Sequence, residues 1–191
     1  SLNAGVAAGT TTVTGTVAAL GDGLGAALTV DNAATGLVDF QGTFGANSGL
    51  VAGAATSVKF AGDVTLADGD TATNLAGAVT LDGLNWSGYD GLTTGALTLS
   101  TSAVDINSQG GNIQFASIAG GSQDLSLNAG VAAGTTTVTG NVAALGDGTG
   151  AALTVDNAAT GLVDFQGSFG ANSGLVAGAA TSVKFAGDVN L

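Results

Sequence analysis

The sequence contains no cysteine, histidine, arginine, glutamate, proline or methionine. Each absence closes off some chemistry. Without cysteine there is no disulfide framework, no thiolate nucleophile and no soft metal site. Without histidine the commonest general acid–base group is gone. Cations are scarce too: Lys59 and Lys184 face fourteen acidic residues, all aspartate, for a formal net charge of -12. Nucleic acids and anionic bilayers are recognised by lysine and arginine neutralising phosphates, so this balance opposes both as partners. It favours solubility and divalent cations. No run approaches the roughly 18 apolar residues of a membrane helix, so membrane insertion is not expected.

What is present is a passage written twice. Residues 1–66 return at 126–191 with a fixed offset of 125, and only four positions differ: Thr16/Asn141, Leu24/Thr149, Thr43/Ser168 and Thr65/Asn190. Residues 1–125 read as the first full repeat of a continuous structure, and 126–191 as the first half of the next. The chain opens with neither methionine nor a charged and apolar leader, so it is expected to be a slice of a longer array. Charged residues make up 8% and hydrophobic ones 45%, which is too apolar for the disorder signature, and a buried core is expected.

The dominant local pattern has period two. Apolar–polar–apolar triplets include Leu28-Thr29-Val30, Val38-Asp39-Phe40, Val58-Lys59-Phe60, Val79-Thr80-Leu81, Leu97-Thr98-Leu99 and Ile113-Gln114-Phe115. On a strand each puts two apolar side chains on one face and one polar side chain on the other. Glycine-rich stretches such as GDGLG, QGTFGANSG, LADGDTATN and SQGGN separate them and read as turns. A helix is excluded because no segment keeps i, i+3, i+4, i+7 apolar spacing, and interior glycine costs about 1 kcal/mol per site relative to alanine.

Short, evenly spaced strands suit a sandwich, a barrel or a solenoid. Thin interior candidates, the lack of proline and returning strand openers favour a solenoid, an all-β parallel β-helix. The openers LTV at 28, VKF at 58, LTL at 97 and LSL at 125 suggest coils of 30, 39 and 28 residues, the long one carrying an insertion around Trp86 to Tyr89. One repeat then holds roughly four to six coils, and lengthens a rod by about 20–30 Å at ~4.8 Å per stacked strand.

Candidate sites are few. Asp68-Gly-Asp70 with Asn74 places three oxygen donors in one loop, which suits calcium; the competing reading is that these are turn formers. The same two aspartates lack the basic partners that carboxylate catalysis recruits, so no enzyme and no catalytic, cofactor or metal residue is assigned. Lys59 and Lys184 are expected either to pair with Asp63 and Asp188, or with an aspartate one coil away, or to stand solvated. The Thr10-to-Thr16 row reads as exposed strand threonine rather than a water-ordering array, because it occurs once per period. Trp86 and Tyr89 could form a sugar-stacking patch, with the core the favoured place for Trp86.

The stretch GGNIQFASIAGGSQDLSLNAG (110–130), and GAATSVKFAGDVTL (53–66) in the same style, resembles the repetitive regions of filamentous-haemagglutinin-like bacterial surface proteins, in which G-x-I-x-F, a glycine-rich turn and L-x-L-N-A-G recur. The long, clean repeat is similar in manner to giant tandem-repeat surface proteins. The resemblance implies a right-handed parallel β-helix, export to the cell surface, and a role as an adhesin shaft or fibre. The expected partners are further repeats stacked end to end, and cell-surface or matrix glycans. A calcium- or carbohydrate-dependent adhesin of tandem β-sandwich domains is the alternative.

Overall fold

Short alternating segments cannot bury their apolar sides alone; winding them round a common axis lets each cover the next. The computed structural model describes residues 1–2, 9–30, 36–130, 134–155, 161–179 and 181–191. Among these there are 23 strands and no helix, and every named strand pairing is parallel. Three strand segments complete one circuit. The first three circuits are β1 (Thr10–Val13), β2 (Val17–Leu20) and β3 (Leu28–Val30); β4 (Leu37–Phe40), β5 (Phe44–Ala46) and β6 (Leu50–Ala52); and β7 (Ser57–Phe60), β8 (Val64–Leu66) and β9 (Thr73–Leu75). Next come β10 (Val79–Leu81), β11 (Asn85–Ser87), β12 (Leu92–Leu99), β13 (Val104–Asn107) and β14 (Ile113–Ala119). Both β12 and β14 run across a corner and serve two faces, pairing with different strands in their first and second halves. The chain closes with β15 (Leu125–Asn128), β16 (Thr136–Val138), β17 (Val142–Leu145), β18 (Ala151–Val155), β19 (Leu162–Phe165), β20 (Phe169–Ala171), β21 (Gly174–Ala177), β22 (Ser182–Phe185) and β23 (Val189–Asn190).

Stacking these circuits gives a three-sided parallel β-solenoid. Face one carries β1, β4, β7, β10, the second halves of β12 and β14, then β17, β20 and β23. Face two is the 8-stranded sheet β2-β5-β8-β11-β13-β15-β18-β21, and its eight levels enclose about 7 turns. Face three carries β3, β6, β9, the first halves of β12 and β14, then β16, β19 and β22. The all-parallel pairing excludes the antiparallel sandwich alternative.

The period-two pattern does what it promises. Val38 and Phe40 on β4, Val58 and Phe60 on β7, and Val79 and Leu81 on β10 point inward and are buried, while Asp39, Lys59 and Thr80 stack outside them in register. Aromatic rings thicken the core on one side: Phe40 and Phe60 stack at 5.2 Å, and Phe44 and Trp86 meet them edge-on. At the corner between faces one and two Gly42 lies so close to the preceding circuit that an added Cβ would sit 2.7 Å from the Gly15 carbonyl carbon. Gly62 stands on Gly42 in the same way. At Gly42 and Gly62 the corner admits only hydrogen.

Several expected details are corrected. The openers at 28, 58, 97 and 125 lie on faces three, one, one and two, so they do not mark successive coils. Circuits are shorter, from 18 residues (Val79 to Leu97) to 28 (Leu125 to Leu153). The 18-residue circuit is the one holding Trp86 and Tyr89, so there is no insertion there. QGTFGANSG contains β5 and LADGDTATN contains the start of β9, both expected as turns.

The boundary between the two copies falls inside β15, where buried Leu125 pairs with Val104 below and Leu153 above, and buried Leu127 with Ile106 below and Val155 above. The parallel ladder runs through the boundary without a break. The second copy, however, is not on the same faces as the first: β1 and β2 lie on faces one and two, and their sequence equivalents β16 and β17 on faces three and one.

Candidate functional site

The outer surface is built from ladders of the one polar residue per strand and from corner loops. On face one Asp39 and Lys59 are register neighbours, and the Lys59 ammonium bonds the Asp82 carboxylate one circuit further on at 2.9 Å. The hydrogen bond to Asp82 raises the Lys59 pKa above its ordinary value, partial burial opposes the rise, and the charges of Asp82 and Asp39 add to it. In the second copy Lys184 bonds Asp164 at 3.1 Å. The Gln166 amide and then Lys184 hold the Asp164 carboxyl below its usual range. Both lysines therefore pair with an aspartate one circuit away rather than with Asp63 or Asp188.

Two of the four differences between the copies form one contact. The Thr43 hydroxyl donates to Thr16 at 3.2 Å; in the second copy the Asn141 side-chain oxygen accepts the Ser168 backbone N–H at 3.1 Å. The changes at 16/141 and 43/168 thus exchange one inter-circuit corner bond for another. At a third difference, exposed Leu24 gives way to Thr149, whose hydroxyl and N–H both donate to Asp147 and lower its carboxyl pKa. Asp22 accepts the Leu24 N–H in the same turn, so both aspartates act as turn closers.

Asp68 and Asp70 lie exposed in the loop before β9, whereas Asn74 sits on β9 itself, outward and exposed. Among the described residues no three acidic side chains converge to hold a metal ion. Trp86 is buried against Phe60, with ring centroids 5.4 Å apart and planes 88° apart, while Tyr89 is partly exposed in the following loop. The two do not form a common stacking patch. In the threonine row Thr10 and Thr12 are exposed and Thr11 points to the inner side. Its equivalent, Thr136, is fully buried between Ile113 and Val163, and its hydroxyl finds no partner.

Spacing alone could not reveal the two ends of the rod. At the N-terminal end the core opens as a cleft of about 270 Å³ lined by Leu2, Val13, Val17, Leu20, Phe40 and Phe44, among others. At the other end Phe185, Val189 and Leu191, whose first-copy equivalents Phe60, Val64 and Leu66 are buried, are exposed at 37%, 46% and 65%. Both are cross-sections through the same apolar core, rimmed by strand edges. Such edges are templates for further pairing. Comparison with protein-family models, with curated proteins and with solved structures finds no match to this chain.

Proposed function

We propose that the chain is a structural segment of an extracellular shaft on a bacterial surface, lengthened by coaxial stacking of further repeats. The observation that carries this reading is the uninterrupted core across the copy boundary inside β15. Where one copy meets the next, the rod continues with the same parallel ladder used within a copy. Stability in such a stack grows with each added interface, so a near-identical repeat serves length. Placement outside the cell rests on the likeness to filamentous-haemagglutinin-like repeats.

Sedimentation velocity over a concentration series, with negative-stain electron microscopy, tests the end-to-end contact. The expected result is rods that lengthen with concentration at constant width, and a shift back to single rods on Val189→Asp at the exposed end. Particles of one fixed size at every concentration would remove the proposal.

A further inference from the structure

The rotation between the copies follows from counting circuits. Going up face one from β1 through β4, β7, β10, β12 and β14 to β17 takes six full circuits. The repeat equivalent of β1 is not β17 but β16, one face earlier, on face three. One 125-residue unit is therefore five and two-thirds circuits. The same shift holds all along the second copy. Strand β4 is on face one and its equivalent β19 on face three; β5 is on face two and β20 on face one; β6 is on face three and β21 on face two.

The sequence permits this because the strand segment carries no label for its face. SVKF is buried–outward–buried on face one as β7, and is stacked by the same LVDF neighbour on face three as β22. The aromatic group moves as a unit. Phe165 and Phe185 stack at 5.3 Å with planes 13° apart, matching the 13° of Phe40 and Phe60, although the whole set has turned by one face. The corner glycines move with it: Gly15, Gly42 and Gly62 line the corner between faces one and two, while Gly140, Gly167 and Gly187 line the one between faces three and one.

We infer that successive repeats present the same outward residues on successive faces, each unit turned back by a third of a circuit, so that three units bring the faces into phase. In an array, which is the part of this inference resting on the shaft reading, a partner recognising one unit finds its site in three directions around the rod. Successive sites are about 27 Å apart along the axis, at ~4.8 Å per circuit. In such an array no face carries the same outward residues from one unit to the next, so it suits a shaft contacted from all sides rather than a one-sided adhesive surface.

The cysteine-free chain allows a direct test by thiol cross-linking in the isolated protein, whatever its association state. Gln114 and Thr137 are outward register neighbours on face three. Were the copies in phase, Thr137 would lie on face one above Ala119. The double variant Gln114→Cys/Thr137→Cys is expected to close under mild oxidation at a rate like that of Thr80→Cys/Thr98→Cys, neighbours within the first copy that report a folded rod. Ala119→Cys/Thr137→Cys is expected to stay open. Closure of the 119–137 pair, or failure of the 114–137 pair while the 80–98 pair closes, overturns the inference. Because lengthening of rods is not read in this assay, its outcome is separate from that of the shaft proposal.

Discussion

Phe60 stacks on Phe40 one circuit below it, rings 5.2 Å apart and 13° from parallel, and is itself capped by the edge of Trp86 from the circuit above. Its counterpart Phe185 has the same lower neighbour, Phe165, but no circuit above, and is 37% exposed where Phe60 is 0%. One residue of the repeat thus occupies two environments in one molecule. Removing a fully buried phenylalanine costs about 3–5 kcal/mol through lost transfer energy and the cavity left behind. Phe60→Ala is expected to lower the unfolding free energy from denaturant titration by that order, and Phe185→Ala by less than half as much. Equal losses from the two variants would contradict the placement.

The corner glycines give a second comparison. An alanine methyl at Gly42 meets the Gly15 backbone at 2.7 Å, whereas nothing lies within 4 Å of one at Gly15 itself. Backbone cannot yield as a flexible side chain can. Gly42→Ala is expected to destabilise by roughly 1–3 kcal/mol, the usual cost of overpacking, and Gly15→Ala to leave the thermal midpoint almost unchanged.

Thr136 offers a gain instead of a loss. Its hydroxyl is buried in an apolar column without a partner, and an unsatisfied buried polar group costs about 1–3 kcal/mol. Thr136→Val keeps the shape and removes the cost, so its melting temperature should rise. Thr11→Val, at the half-covered first circuit, should move it much less.

The alternating triplets at Leu28, Val38, Val58, Val79, Leu97 and Ile113 all proved to be strand segments, since two inward apolar residues are enough to commit a short segment. Other strands were hidden because their outward residue is small or apolar, or their inward one polar: Gly45 is outward in β5, Val51 in β6, and Thr73 is inward in β9. Coil boundaries were illegible for a related reason. LTV at 28 and LSL at 125 obey the same rule on different faces, so spacing between look-alike triplets does not measure a circuit. The lysine partners were legible only as a class, because an aspartate one circuit away is identified by register and not by distance along the chain.

Titration should read the Lys59 ladder. The folded pKa of Lys59 lies above its ordinary value of 10.5, so its contribution is fully present below that value and is lost as pH rises through the raised one. Asp164 is shifted the other way, so its contribution is present above 3.8 and is lost as pH falls through the lowered value. Lys59→Met should abolish the alkaline step in melting temperature that belongs to this pair while leaving the acid limb in place. The step is small, because an exposed pair contributes at most about 1 kcal/mol.

Among the described residues each circuit hydrogen-bonds in parallel to its neighbour along the axis. Scalar couplings measured by NMR across individual hydrogen bonds test it residue by residue. Couplings are expected from Phe44 N–H to the Asp63 carbonyl, Val58 N–H to the Ala78 carbonyl and Ile118 N–H to the Asn141 carbonyl, with partners about one circuit apart in sequence. Couplings that instead join residues a few positions apart, reciprocally across tight hairpins, would contradict it.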